Sequence, residues 1–520
     1  MTERELLELE RWTQRLVRRA RAEGLDFYEM RFEVVPADVL YSVGAYGMPT
    51  RFSHWSFGKA FHRLKTEYDY NLSRIYELVV NSDPCYAFLL DGNTLAQNKL
   101  VVAHVLAHSD FFKNNWRFAG TSRFMMDNMA AHAERIARYE FKYGKEAVEQ
   151  LLDAALALAE QVDPHPVGPP SEPSQDEEGA QAPAPARPST PYDDLWELDR
   201  FLPGSGPGGG SGAPEASPSR AAGAATRPGR PVGFVPPARG VPGRAGERAE
   251  ERPASSGRAR RLPRRPEKDL LRFILQHSPY LEAWQRDVLA MVREEALYFW
   301  PQIETKLMNE GWATYWHLRL MRGEDLPEAE ALEFARMHAG VVQPHRLQIN
   351  PYLLGWKIFE SIEQRWERPD EEDRRRLGLP GGQGREKIFE VRQLETDVSF
   401  VRNYLTRQLV EDLHLFTFVR RGDEWQVEST GWEQVRDALA ARLTNGGIPV
   451  IVVEDGDYRG SGELLLRHQY DGQELDLHHL EKVLPYVFQL WGRPVHLLTV
   501  VEGKETLFSY DGEHHQRTLE

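Results

Sequence analysis

Two histidines on one predicted helix give the clearest chemical signal in the sequence. His104 and His108 lie four residues apart in an apolar segment that is predicted to be helical from Thr94 to Asn114. This spacing places both imidazoles on one face of the helix, about one turn apart. Helices use the same arrangement to offer two nitrogen ligands to a zinc ion. The pair therefore indicates either a metal site or two histidines buried in a helical core.

A second segment supplies residue types that would complete such a site. Glu310 and His317 are seven residues apart in a predicted helix over 302–321, again on one face. Glutamate, with or without histidine, commonly completes a two-histidine zinc site. The predicted ligands for zinc, or for another divalent first-row metal, are His104, His108, Glu310 and His317. The alternative is a buried polar network made of the same side chains.

The general base of such a site has no obvious position. In the H-E-x-x-H pattern a glutamate follows the first histidine, but residue 105 here is valine. Asp110, Glu360 and Glu363 are candidates for the missing base, although a helix cap or a solvated surface is the alternative role of each. The predicted catalytic residues are Glu310, His317, Asp110 and Glu360.

Other polar side chains have weaker signals. His54 and Lys59 lie in an aromatic segment and are candidates for the surroundings of the site. His132, His338 and His345 have no partner at helical spacing, so we interpret these three histidines as structural.

The elements that must position these residues are mainly helices. Apolar residues recur at helical spacing through most of 59–159 and 267–366. After about residue 385, strand-like runs alternate with helices, which predicts a small two-layer α/β domain. The predicted fold is a mainly α-helical body, α+β overall, with a small α/β C-terminal domain and a long disordered insert.

The insert is marked by an abrupt change in composition. Pro, Gly, Ala, Ser and Arg dominate residues 164–266, and such a segment cannot bury enough apolar surface to fold. An aromatic island at 191–201 is a candidate for docking on the folded body. The Arg-rich half suggests a nucleic-acid tail or a solvated linker, and the lack of interleaved aromatics favours the linker. The predicted domains are 1–163 and 267–384, which form the two halves of the helical body, the insert 164–266, and the C-terminal domain 385–520.

Overall composition limits the classes of function. The 520-residue chain has a net charge of −15, which argues against nucleic-acid or anionic-membrane binding. Its single cysteine, Cys85, excludes an intrachain disulfide and indicates a reducing compartment. No signal-peptide pattern is present, and no apolar run approaches the roughly 18 residues of a membrane span. We expect a cytoplasmic protein with no membrane span and no nucleic-acid partner.

Several long segments resemble one protein family, in the same order along the chain. The segments are 46–59, 76–87, 104–115, 284–287, 308–317 and 350–355. Together they resemble the stage V sporulation protein R (SpoVR) family, which is associated with formation of the spore cortex, a modified peptidoglycan. The resemblance implies a role in sporulation, with a serine protein kinase and a companion protein as partners. The insert between Phe201 and Glu267 is longer than the connection usual in the family.

Two functions fit these observations. The first is a metal-dependent hydrolase, an amidase or peptidase acting on a peptidoglycan-related or peptide substrate. A cytoplasmic enzyme would require a precursor or a recycled fragment as this substrate. The second is a non-catalytic regulator or scaffold of the sporulation or stationary-phase pathway, linked to the kinase. Solvent access separates the two, because a catalytic metal keeps an open position whereas a structural metal is closed in.

Overall fold

The computed structural model describes residues 1–70, 77–165, 262–345, 348–421 and 424–519. In these ranges the N-terminal body is mainly helical and the C-terminal part contains a five-stranded sheet, which confirms the predicted fold class. Only the ends of the predicted insert fall inside the described ranges, and the island at 191–201 lies outside them. None of the helices in these ranges is both long and apolar enough to cross a bilayer.

A three-stranded sheet packs beside the helical core. Strand β3 (Cys85–Leu90) is central, with β1 (Met30–Val35) parallel to it on one side and β2 (Glu77–Val80) antiparallel on the other. The register pairs Glu77, the first residue of β2, with Leu89. Because β3 is almost entirely buried, it lacks the alternation that marks a half-exposed strand, and the sequence pattern did not separate it from the neighbouring helices.

Helix α4 (Leu95–Asn114) runs through the core and carries both histidines. Thr94 begins it with a capping box, in which the Thr94 hydroxyl accepts from the Gln97 amide at 3.1 Å and the Gln97 side chain accepts from the Thr94 amide at 3.0 Å. Every residue from Asn98 to Phe112 is buried. A helix that is apolar on nearly all sides must be enclosed by other elements, so its histidines lie inside the protein.

Helices α9 (Lys306–Arg322) and α11 (Pro351–Glu367) pack backbone against backbone. At their crossing Gly311 lies against Gly355, and a Cβ atom on Gly311 would be 2.3 Å from the Gly355 carbonyl carbon. A side chain at either position would hold the two helices apart. The glycine pair therefore sets the position of the neighbouring Glu310.

The start of α9 is fixed by a buried carboxylate. Asp397 accepts the backbone N–H groups of Leu307 and Met308 at 2.8 and 2.9 Å. These amides are among the four at a helix N-terminus that have no partner within the helix. Burial raises the pKa of the Asp397 carboxyl to about 7.

The other helices and one hairpin surround this centre. They are α1 (Glu3–Ala22), α2 (Ala37–Tyr46), α3 (Trp55–Asp69), α5 (Met125–Tyr143), α6 (Lys145–Ala157), α7 (Leu270–His277), α8 (Ala283–Glu304), α10 (Glu328–Val341), α12 (Glu371–Leu377), α13 (Gly384–Leu394), α14 (Asp397–Tyr404), α15 (Arg407–Asp412), β4 (Thr417–Arg421), β5 (Glu424–Ser429) and α16 (Trp432–Leu443). Helices α4, α9, α11, α13 and α14 contribute to one large hydrophobic core.

The C-terminal sheet has the strand order β10-β9-β8-β7-β6. Its elements are β6 (Ile451–Tyr458), β7 (Glu463–His468), α17 (Leu477–Trp491), β8 (Val495–Val501), β9 (Lys504–Tyr510) and β10 (His515–Leu519). Strands β7 and β8 are parallel and are connected through α17, whereas the other neighbours are antiparallel. One face of the sheet shares a second core with α6, α7, α8 and α17. The sequence pattern predicts a C-terminal domain that begins at 385. In the structure, Ile388, Phe400 and Val435 lie in the first core, and the sheet begins at Ile451.

Candidate metal centre

The two predicted histidines lie side by side within the core. The rings of His104 and His108 meet edge to face, with 4.6 Å between their centroids. Both side chains are almost fully buried, at 3% and 5% relative exposure. Their Nε2 atoms point toward two carboxylates, one from α9 and one from β2.

Glu310 on α9 approaches both histidines. Its Oε2 lies 3.7 Å from Nε2 of His104 and 3.5 Å from Nε2 of His108. Glu77 at the start of β2 places Oε1 3.3 Å from Nε2 of His104. Ligand atoms of Glu77, His104 and His108 all lie within 4.8 Å of one another. The structure therefore brings together three of the four predicted ligands, and Glu77, which has no spacing signal in the sequence, lies beside them.

The spacing between Glu310 and the two histidines suits a metal better than direct hydrogen bonds. Hydrogen bonds between nitrogen and a carboxylate oxygen are usually about 2.7–2.9 Å long. Two ligands on a tetrahedral zinc with bonds of 2.0–2.1 Å lie about 3.4 Å apart. The separations of 3.5 and 3.7 Å between Glu310 and the two imidazoles lie near the second value.

Two buried atoms at the centre lack a hydrogen-bond partner in the described part of the chain. They are Nε2 of His104 and Oε2 of Glu310. An unsatisfied buried polar atom costs about 1–3 kcal/mol, and a charged one costs more. A cation between the two atoms would satisfy both, so the residues present fit a bound metal ion.

Neighbouring side chains fix the orientation of each imidazole. Nδ1 of His108 donates to the Asn309 side-chain oxygen at 2.9 Å, which leaves Nε2 free as a ligand. Nδ1 of His104 lies 2.9 Å from Nδ1 of His317. Nε2 of His317 lies 3.1 Å from Nδ1 of His338. Metal-bound histidines typically make such a hydrogen bond through their second nitrogen.

His317 thus lies behind His104, on the side away from the two carboxylates. A consistent set of neutral tautomers has His104 donating to His317 and His317 donating to His338. His338, which the sequence predicts to be structural, ends this chain of hydrogen bonds. Spacing along the sequence could not find it, because the contact joins two separate helices.

Burial and the facing carboxylates together control the charge of the centre, since burial opposes the charged form of His104 but Glu77 and Glu310 raise the pKa of its imidazole. Burial raises the pKa of the Glu77 carboxyl to about 7 and lowers the pKa of the His108 imidazole to about 4. It also lowers the pKa of His317 well below the usual histidine range. Neutral histidines are the form that binds metal, and a nearby cation would restore the carboxylate of Glu77.

The centre borders two cavities. One, of about 810 Å³, is lined by Glu77, His104, His317 and Tyr352 together with residues of α4 and α10. The other, of about 640 Å³, is lined by Asn309 and Glu310. The centre therefore has cavity space beside it, which an open catalytic site requires.

The remaining predicted residues make their contacts elsewhere. Asp110 accepts from Trp312 Nε1 and from the Asp26 amide, both at 2.8 Å, and burial raises its pKa to about 6. Glu360 pairs with Lys357 at 2.8 Å.

Three further candidates contact other residues or solvent instead of the histidine pair. Glu363 pairs with Arg319 at 2.8 Å, and His54 lies 3.2 Å from Asp153. Lys59 is exposed on α3.

Comparison with known proteins covers nearly the whole chain. The family model described as "SpoVR like protein" matches residues 3–207 and 241–448, and the model described as "SpoVR-like C-terminal domain" matches 449–502. The chain belongs to the SpoVR family. The four residues of the centre (Glu77, His104, His108 and Glu310) lie within the first match. Residues 208–240 of the insert lie outside it.

A curated relative is similar over most of the chain. The SpoVR chain is 29% identical over 503 residues to "Uncharacterized protein YcgB" of Escherichia coli (strain K12), which covers 92% of this chain and 89% of the relative. No solved structure matches the SpoVR chain.

Proposed function

We propose that this protein is a metal-dependent hydrolase of amide or peptide bonds. The observation that carries the proposal is the convergence of His104, His108 and Glu310, two of them with unsatisfied buried atoms, beside a cavity that small molecules can enter. Zinc or another divalent first-row metal suits nitrogen and carboxylate ligands. When bound, such a metal polarises a carbonyl group and makes water more acidic.

The two carboxylates take different parts in this proposal. Glu310 faces both histidines and completes a three-residue ligand set, as in catalytic zinc sites. Glu77 lines the larger cavity and is the carboxylate placed to accept a proton from water. Glu77 would then act as the general base, in place of the glutamate that the H-E-x-x-H pattern has at the position of Val105. Tyr352 lines the same cavity, and burial together with the nearby Glu310 carboxylate raises the pKa of its phenol.

Elemental analysis of the purified full-length protein tests the ligand set. We expect about one metal ion per chain in the wild type, none in His104→Ala/His108→Ala, and little in Glu310→Gln. His478→Ala/His479→Ala is the matched control, because it removes two exposed histidines from α17. Circular dichroism of each variant confirms folding. Absence of metal from the wild type, even after reconstitution with zinc, would refute the site.

Glu77→Gln separates the catalytic function from a structural one. If Glu77 acts on water, this variant keeps its metal and loses amidase or peptidase activity in a screen of peptide substrates. If Glu77 is a fourth ligand of a closed site, metal content falls as it does in Glu310→Gln. That second result would favour the non-catalytic regulator or scaffold. Glu360→Gln, whose carboxylate pairs with Lys357, is the control.

We further propose that the activity serves sporulation, on a peptidoglycan precursor or recycled fragment, in a pathway that includes a serine protein kinase and a companion protein. Membership of the SpoVR family supports this proposal, and the kinase partnership rests on the same ground. Deletion of the gene in a sporulating host, with complementation by wild type or Glu77→Gln, tests it. A normal cortex in the deletion strain itself would refute a role in the cortex, and full complementation by Glu77→Gln would refute the catalytic part of that role.

A further inference from the structure

The larger cavity, called the groove below, lies between one face of α4 and one face of α10, and its lining includes Glu77 and His104 of the metal centre. One wall consists of the α4 residues Gln97, Leu100, Val101 and His104, which share one helical face. The other consists of the α10 residues Glu333, Arg336, Met337, Gly340 and Val341, which also share one face. From Gln97 to His104 the wall spans seven residues, or about 10 Å along the helix axis. The groove is therefore long enough for a short acyl or peptide chain.

The groove contains one cation that makes no ion pair or hydrogen bond with any described residue. Arg336 is exposed and lines the groove. The two carboxylates of the same lining are both engaged, since Glu333 accepts from the Thr94 hydroxyl at 2.6 Å and Glu77 lies beside His104. Arg336 is thus free to bind an anionic ligand.

The rest of the wall indicates what kind of anion would fit. Leu100, Val101, Met337 and Val341 make most of the remaining lining apolar. A ligand with an aliphatic portion and one terminal carboxylate matches this combination of surfaces. Guanidinium groups bind carboxylates through two parallel hydrogen bonds, which fixes orientation as well as adding affinity.

We propose that the groove selects peptides or acylated amino acids with a free terminal carboxylate, which Arg336 binds while the amide lies at the metal centre. This inference rests on the proposed hydrolase function. It assigns Arg336 a role in specificity, and it predicts cleavage close to the carboxyl end of the substrate, within the reach of the groove.

Calorimetric titration with a panel of N-acetylated dipeptides, each as the free acid and as the C-terminal amide, tests the proposal on the full-length protein. We expect at least one free acid to bind the wild type, and its amide to bind roughly 10- to 100-fold more weakly. Arg336→Ala should weaken binding of the acid by a similar factor and leave binding of the amide unchanged. Arg336→Lys keeps the positive charge but cannot form two parallel hydrogen bonds with a carboxylate. Its affinity for the acid should lie between those of the wild type and Arg336→Ala.

The control variant is Arg322→Ala. Arg322 lies close enough to His317 to affect its charge, but it is not part of the groove lining. An equal loss of affinity in Arg322→Ala and Arg336→Ala would overturn the proposal, because it would reflect general electrostatics. Equal binding of acid and amide, or no binding of any acid to the wild type, would also overturn it.

Metal analysis of the same samples separates this proposal from the hydrolase function. A wild type that binds no metal but discriminates acid from amide through Arg336 would refute the hydrolase and retain the carboxylate site. A metal-loaded wild type that binds the free acid and the C-terminal amide equally well would refute the carboxylate site alone.

Discussion

Substitution of Gly311 by alanine tests how the structure positions Glu310. The added Cβ would lie 2.3 Å from the carbonyl carbon and 2.4 Å from the Cα of Gly355. Ordinary contacts begin near 3.4 Å, so α9 and α11 must separate by about 1 Å. No side-chain rotation can relieve the clash, because both atoms belong to the backbone of the neighbouring helix.

The expected cost follows from two opposing effects. Overpacking of a core costs about 1–3 kcal/mol, and contact with backbone places this site at the upper end of that range. Replacement of glycine by alanine inside a helix returns up to about 1 kcal/mol. We expect Gly311→Ala to lose about 2 kcal/mol of unfolding free energy. Because Glu310 is the adjacent residue, we also expect zinc affinity to fall at least about 10-fold.

Urea unfolding followed by tryptophan fluorescence measures the first effect, and Trp312, next to the substitution and fully buried, is a suitable reporter. Competition with a chromophoric chelator measures the second. Gly58→Ala is the matched control, since Gly58 lies inside α3 with no atom within 4 Å of its added Cβ. We expect the control to equal or slightly exceed the wild type in stability. A Gly311→Ala protein as stable as the wild type would refute the close packing described here.

Three further predictions concern single residues. Burial raises the pKa of the Cys85 thiol to about 12, so a maleimide dye should leave the native protein unlabelled and react fully in urea. The pKa of Asp397, raised by burial to about 7, exceeds its unfolded value near 4. The unfolding free energy of the wild type should therefore fall as pH rises from about 4 to about 7, and Asp397→Asn should show a smaller decrease in urea titrations across that range. His317→Gln should weaken zinc binding about 10- to 100-fold in chelator competition, because His317 orients His104 through its second nitrogen.

Each of these predictions has a clear contrary result. Labelling of native Cys85 at the rate seen in urea would show that the thiol is accessible. Equal pH slopes for the wild type and Asp397→Asn would show that this carboxyl keeps an ordinary pKa in the folded protein. Unchanged zinc affinity in His317→Gln would show that the contact with His104 does not orient the ligand, and His338→Gln, one step farther along the chain of histidines, should have a smaller effect.

The sequence alone determined the local features of the centre. It predicted a helix from Thr94 to Asn114, and the structure begins it at Leu95, with Thr94 as the cap, and ends it at Asn114. Capping and helical periodicity depend on residues within a few positions of one another, so they can be read directly. The shared face of His104 and His108 follows from the same periodicity. The mainly helical body and the α/β character of the C-terminal part follow from the patterns of apolar residues.

Only the tertiary structure decided which side chains meet the two histidines. Glu77 reaches His104 because β2 pairs with β3 and places its first residue beside α4, and no spacing along the chain reports this. His317 shares a helical face with Glu310, yet it lies behind His104 rather than beside both histidines. Gly311 gave no local signal, and its role appears only where α11 crosses α9. Contacts between elements depend on how whole faces pack against one another, and this information is spread over residues far apart in the sequence.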